Sequence, residues 1–422
     1  MILGPAQSRS GSWPGRAGAA ALAAAWLAGS TAAPAQSELP DGVRIGRWIL
    51  APSAFLDLES DANLLRTDDS RESIRDHSAE YGGALAASLP FRNSLFRIGY
   101  EASKLGYSAV DFERDLSEET TVDLDLQFGS GNRLVLRDSF TRGSVRLRDL
   151  VGEDTTQAPE EVFYGAPWNQ NRAQLRLERA VPGRQGWRVQ LERRDFNYRG
   201  QELTSLYDSR GFESDYEFRQ PVTSRGWVVF YYGTRRFNHY RPQDEVGVPY
   251  RKELEDSFQL GWRGLAGAGN PYLIRLGYER VNFEIQTSSF EGLSALLTGS
   301  FRAGPYSRTT LELSRRAFAS TEDTHYINNR FSGEFETQVL GAFDLRTRAV
   351  LAFNQYVDPV DSDCGGELRE DWIRGLEAGL AWPLEPWIEL GLSGTHERRN
   401  SSCPFGDYDD TEVRAGLRVG WF

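Results

Sequence analysis

From Arg47 onward the chain runs in segments where apolar and polar residues change places at every step. No stretch sustains the 3.6-residue period of an amphipathic helix. Val122, Leu124, Leu126 and Phe128 alternate with Asp123, Asp125 and Gln127. Trp187, Val189 and Leu191 alternate with Arg188, Gln190 and Glu192. Phe343, Leu345, Thr347, Ala349, Leu351 and Phe353 share one phase, and Asp344, Arg346, Arg348 and Asn354 hold the other. Trp372, Leu376, Ala378, Leu380 and Trp382 form a further row. A period of two belongs to a β-strand, whose side chains point alternately to the two faces of a sheet. The pattern predicts an all-β protein.

A soluble sandwich would alternate too. Three features point instead to a transmembrane antiparallel up-and-down barrel. The segments are about 13 residues long, against about 5 or 6 for ordinary soluble strands. Connections are alternately short (Pro90–Asn93, Ser130–Asn132, Pro182–Gly186, Pro383–Pro386) and long (Ser60–Arg75, Arg148–Pro167, Val357–Leu368), the rhythm of an outer-membrane barrel. Aromatic residues mark the segment ends. Trp187, Trp227, Tyr272, Trp382, Trp387 and Trp421 adjoin short turns, while Tyr107, Tyr198, Phe237, Phe283, Phe318 and Tyr356 adjoin long ones. Rings at both borders of an apolar band are expected to form an interfacial girdle.

Segments start near Arg47, His77, Ser94, Leu116, Arg133, Trp168, Trp187, Ser209, Gly226, Tyr250, Pro271, Phe290, Ser307, His325, Phe343, Arg369, Trp387 and Asp409. That makes eighteen strands, with sixteen as the alternative count. An even number places both termini on the short-turn side, the periplasm. Arg193 resists the scheme: it continues the apolar phase of Trp187, Val189 and Leu191. A lipid-facing Arg at mid-depth costs about 2–4 kcal/mol, so either a bulge or a higher position in the wall is expected there. The terminal Trp421-Phe422 resembles the aromatic C-terminal signal read by the barrel assembly machinery, with Phe422 off the strand's phase.

Residues 1–35 read as a secretory signal peptide. Arg9 and Arg16 precede the Ala-rich apolar stretch Ala17–Ala28, and Ala33-Pro34-Ala35 offers small-x-small before Gln36. The stretch is too short to span a bilayer, which takes about 20 residues. Residues 36–422 are then one barrel domain, exported to the outer membrane of a Gram-negative cell. Lipid and lipopolysaccharide are its expected surroundings.

The composition excludes other classes. Mean hydropathy is -0.50, with no run apolar enough for a membrane helix. A net charge of -12 argues against a nucleic-acid partner, which calls for a basic footprint. His77, His239, His325 and His396 are the only histidines. None lies in a recognisable nucleophile–base constellation, so no enzyme is expected. Asp358, Asp361 and Asp363, with Asp407, Asp409 and Asp410, make acidic loops. They lack the calcium-loop spacing and are read as solvated charge, so no metal and no cofactor is expected. Cys364 and Cys403, the only cysteines, fall in loops flanking the last two strands. They are candidates for a loop-pinning disulfide in an exported protein, or else stay as two thiols.

The polar phase of the strands carries the functional suggestion. Arg133, Arg137, Arg172, Arg176, Arg188 and Arg194 point inward on adjacent strands, with Glu178 and Glu192 among them. Arg346 and Arg348 add to the lining elsewhere. A barrel of 16–18 strands is wide enough for an aqueous channel, and guanidinium forks bind carboxylates and phosphates bidentately. The stripe would guide an anionic polymer or solute, or its arginines pair with Glu and Asp across strands and fill the lumen.

The opening segment carries a family resemblance. Val43-Arg44-Ile45-Gly46, Trp48, Leu50 and Pro52-Ser53 are followed by Asp61-Ala62-Asn63-Leu64-Leu65-Arg66-Thr67. This resembles the start of outer-membrane β-barrel proteins linked to exopolysaccharide operons. The resemblance implies passage of secreted polysaccharide across the outer membrane, served by periplasmic export components and without catalytic residues. A diffusion porin for small solutes and a surface-structural barrel are the other readings.

Overall fold

The computed structural model describes residues 42–62, 75–108, 116–144, 167–198 (182 aside), 208–240, 251–283 (268 aside), 289–319, 325–357, 368–403 and 407–421. The signal segment 1–35 lies outside them. Among the described residues all regular structure is strand. A three-residue β1 (Val43–Ile45) folds back on β2 (Trp48–Asp61). The wall continues through β3 (Asp76–Phe91), β4 (Ser94–Tyr107), β5 (Leu116–Phe128), β6 (Asn132–Ser144), β7 (Pro167–Arg179), β8 (Gly186–Tyr198) and β9 (Asp208–Thr223). Next come β10 (Gly226–Tyr240), β11 (Arg251–Ala266), β12 (Asn270–Phe283), β13 (Ser289–Arg302) and β14 (Ser307–Ala319). The wall ends with β15 (His325–Val339), β16 (Phe343–Tyr356), β17 (Glu370–Glu385), β18 (Ile388–Ser401) and β19 (Tyr408–Gly420).

Each strand pairs antiparallel with the next, and β19 pairs with β2 from Glu412↔Asp61 to Gly420↔Ser53. The result is a closed barrel of eighteen strands, β2 to β19. Every strand begins within one residue of the start read from the alternation. At the seam Arg414 and Glu59, 355 residues apart in sequence, form an ion pair at 2.5 Å. Closure gives each wall strand a partner on both sides, so no strand is left as an open sheet edge, which a non-aqueous surrounding would penalise; the shortest ladder is β13 with β14, which ends at Ala295↔Arg315.

The barrel is inside-out relative to a soluble protein. Leu293, Leu276, Leu376 and Phe258 are 72%, 63%, 58% and 57% exposed, whereas Glu279 and Asp371 are fully buried. The apolar face is therefore the outer one, and the charged face lines the lumen. A buried leucine is stabilised by about 1.5–3 kcal/mol relative to an exposed one, so this exterior calls for lipid. Strands of 13–16 residues exceed the roughly 10 needed to cross a 25 Å apolar band at barrel tilt.

All the short connections lie at one end, where β2 begins and β19 ends. The tightest turns need special backbone: Gly131, between β5 and β6, has φ +83°, and a Cβ there would meet the Ala180 carbonyl oxygen at 2.7 Å. The long connections lie at the other end, largely outside the described residues.

The aromatic girdle needs correction. Trp187, Trp382, Trp387 and Trp421 are exposed, and Tyr272 lies on the outer phase opposite Gly299. Trp227 does not join them. It pairs with Arg263 on the lumenal phase, and Trp262 takes the outer position, donating its Nε1–H to the Tyr272 hydroxyl at 3.0 Å. At the long-loop end Tyr107, Phe237, Phe318 and Tyr356 also fall on the lumenal phase. Proximity to a turn does not set a ring's face; the parity of its position does. Tyr198 and Phe283 are strand ends whose side chains lie outside the described set.

Arg193 does lie on the outer face, 67% exposed, and pairs with Asp195 at 2.9 Å. The ladders on either side of it run without a register shift, so no bulge turns it away. Its relief is height: it sits five residues below the long-loop end of β8 and leans on a carboxylate nearer that end.

Candidate functional site

The lumen wall is built by register. Arg133, Arg137, Arg172, Arg176, Arg188 and Arg194 all take the lumenal phase, as the pairs Arg133↔Glu178, Arg137↔Gln174, Arg172↔Arg194 and Glu178↔Arg188 show. Arg346 and Arg348 take it on β16, opposite Glu336 and Glu334. Twist brings neighbours into diagonal reach, and most of these arginines find carboxylates.

On β5 and β6, Arg133 makes a bidentate pair with Asp125, its Nε and Nη2 donating at 2.9 and 2.6 Å, and comes within 3.6 Å of Glu178. Arg137 donates to Asp123 at 2.5 Å and stays 58% exposed. On β7 and β8, Glu192 is hidden beneath two guanidiniums. Arg172 grips it bidentately at 2.7 and 3.0 Å, and Arg194 donates to it at 2.5 Å. Arg346 donates to Glu334 at 3.0 Å. The buried Nε of Arg176 has no hydrogen-bond partner among the described residues. Pairing is therefore the rule along this wall, but the arginines keep more exposed surface than the carboxylates they hold. Arg172 is 46% exposed and Glu192 only 2%.

Sequence reading stopped short of the next wall. On β9 to β14 the lumenal phase continues through Glu217, Arg219, Arg235, Glu255, Arg263, Arg275, Glu279 and Arg316. Extending the phase across Trp262 and Phe258 would have found them. Glu255 pairs with Arg316 at 3.0 Å and with Arg235 at 3.5 Å. Glu279 accepts the backbone N–H of Ala317 at 3.1 Å, where the ladder between β13 and β14 has ended at Ala295↔Arg315.

The long-loop mouth of β14 to β19 is packed. Phe318, Tyr326 and Tyr356 stack in sequence, with ring centroids 5.8 and 5.2 Å apart. Below them Asn328 donates to Asn354 at 2.6 Å. Asp371 is held by Arg369 at 3.1 Å through both of its oxygens and by Arg399 at 3.1 Å. The Arg369 guanidinium lies over the Tyr356 ring at 4.8 Å. His325 is buried against Phe290 of β13, its ring centroid 5.7 Å away, apart from this stack. His396 lies near Thr411 and Asp409 on the outer phase. Cys403 is disulfide-bonded; Cys364 lies outside the described residues. Among those residues no group of three potential ligands is placed to hold a metal.

No family model matches the sequence, and no curated protein matches it. Solved structures do. The FrpB iron transporter from Neisseria meningitidis, in its apoprotein form, superposes with a TM-score of 0.50 at 9% identity, over 88% of this chain and 81% of that one. The outer membrane protein OpdK from Pseudomonas aeruginosa gives 0.47 at 10% identity, over 88% and 99%. OpdQ from the same organism gives 0.44 at 12%, also over 88% and 99%. The likeness to the FrpB structure agrees with the fold described above, a closed antiparallel β-barrel.

Proposed function

We propose that this chain is a passive outer-membrane channel for small hydrophilic solutes, with a preference for anions set by the arginine wall of β6 to β8. The observation that carries this reading is the exposure along that wall, where each arginine is more exposed than the carboxylate it holds and Glu192 is hidden altogether. A charged lining selects ions by sign. The short turns and both strand termini then face the periplasm, and the long loops face outward, as in bacterial barrels generally.

Export of an exopolysaccharide, implied by the opening-strand resemblance, is the second reading. A basic stripe would serve an acidic polymer as well. Small solutes are favoured because the packed mouth of β14 to β19 takes cross-section away from a thick chain.

The test is reversal potential in planar bilayers under a potassium chloride gradient, with the refolded barrel and with Arg172→Glu combined with Arg176→Glu. The wild type is expected to favour chloride, and the double variant, four charges more negative, to move toward potassium. No conductance, or unchanged selectivity in the variant, would sink the reading. Secreted polysaccharide in a strain lacking the chain decides the second reading: loss of secretion with retention inside would put export first.

A further inference from the structure

Glu217 sits near the short-turn end of β9 with its side chain fully enclosed, and four arginines from three other positions in the wall and its own strand converge on it. Arg219 donates its Nε–H to Oε1 at 2.5 Å, and Arg263 Nη2 lies 3.3 Å from the same oxygen. Arg188 donates to Oε2 at 3.2 Å, and Arg275 Nη1 lies 4.0 Å from it. A carboxylate has about four lone-pair sites, whereas each guanidinium brings five N–H donors. The donors far outnumber what Glu217 accepts. Accordingly the buried Nε of Arg188 and both Nε and Nη1 of Arg275 have no hydrogen-bond partner among the described residues.

The neighbouring charges do not remove the surplus. Arg176 adds another cation. Of the nearby carboxylates, Glu178 faces Arg133 at 3.6 Å, and Asp215 accepts the Tyr231 hydroxyl at 2.5 Å. The Tyr231 ring holds the Arg275 guanidinium over its face at 4.1 Å, which fixes it without offering an acceptor. Exposure gives the cluster a direction. Arg188 and Arg263 are 26% and 31% exposed while Glu217 is not exposed at all. A solute in the lumen meets guanidinium and never the carboxylate.

We propose that Arg188, Arg263 and Arg275, braced from behind by Glu217 and Arg219, form a binding site for one small oxyanion, a carboxylate or phosphate group on the permeating solute. The partly exposed forks of Arg188 and Arg263 present planar N–H edges that match such groups bidentately, and Arg275, only 12% exposed, adds its charge from beneath. The site lies one step beyond Arg172 and Arg176 toward the short turns, so the exposed wall feeds it. The inference rests on the channel reading for its role but not for the binding itself.

The experiment uses the full refolded barrel. Chloride conductance in planar bilayers is titrated with inorganic phosphate and, separately, with succinate. Binding of each to the barrel in detergent is measured by calorimetry. Saturable inhibition by either probe is expected; both acting shows a general oxyanion site, and one alone assigns the group. Arg263→Gln with Arg275→Gln should weaken the effect at least tenfold, and the milder Arg263→Gln alone several-fold. Glu217→Gln should strengthen binding several-fold, because it removes the internal competitor. A purely structural cluster predicts the opposite pattern, with variants that unfold more easily in urea while probe binding in the folded fraction is unchanged. That result, or no binding of either probe, overturns the site. Conductance without a probe effect sinks the site and leaves the channel. Probe binding by a barrel that does not conduct sinks the channel and leaves the site.

Discussion

The lumen has two kinds of wall. On β6 to β8 the inward residues are long and charged, and Arg137, Arg172 and Arg133 remain 58%, 46% and 36% exposed. At the long-loop end of β14 to β19 the inward residues are rings and tightly held ions, and Tyr356 and Asp371 are fully buried. Both walls obey the same alternation, and both are polar enough to line water. Flexible guanidiniums pinned to carboxylates lie along their own wall and leave the space before them wet. Rings on three adjacent strands instead reach one another and shed water. A polar phase therefore does not by itself make an open pore; the shape of the inward side chains and what they meet decide it.

That contrast can be broken where it is strongest. Asp371→Ala leaves Arg369 and Arg399 facing each other without their shared carboxylate. Removing one member of a buried ion pair costs about 3–5 kcal/mol, so the urea midpoint of the refolded barrel should fall markedly. An unchanged midpoint would mean that this mouth is hydrated after all. Tyr356→Ala should come next. It removes a stacked ring and the seat of Arg369, for a loss of about 3 kcal/mol, and it should also raise single-channel conductance. Lower stability with no gain in conductance would show that the ring does not border the conducting path. On the open wall Arg137→Gln should change the free energy of unfolding by less than about 1 kcal/mol, because an exposed pair contributes little. Its effect should appear only as a small drop in chloride selectivity that fades at high salt. A large stability loss there would erase the distinction between the two walls.

Most of the fold was legible because the signal is local and repeated. Val122 and Asp123 must face opposite sides in any strand, so the phase of each segment was readable without knowing its neighbours. The same logic placed Arg133, Arg137, Arg172, Arg176, Arg188, Arg194, Arg346 and Arg348 on one face. It failed where position near a turn stood in for phase: Trp227 was grouped with the girdle although Val229 and Tyr231 share its inward parity. The Glu217 cluster was missed for a different reason. Arg188, Glu217, Arg263 and Arg275 are spread over four strands, and nothing within any one segment marks them as neighbours.

The sequence by itself determined that this chain would be strands, where each would begin to within a residue, and the alternation by which each turns residues inward. Those follow from steric alternation and turn chemistry, which act over a few residues. The tertiary structure alone decided who meets whom across the lumen: Arg414 with Glu59 at the seam, and Arg316 on β14 with Glu255 on β11, 61 residues away. It also decided which wall is wet and which is packed. Such meetings depend on the register of each ladder and on closure of the sheet into a concave surface. Closure draws inward side chains together across intervening strands, at a range that no local pattern records.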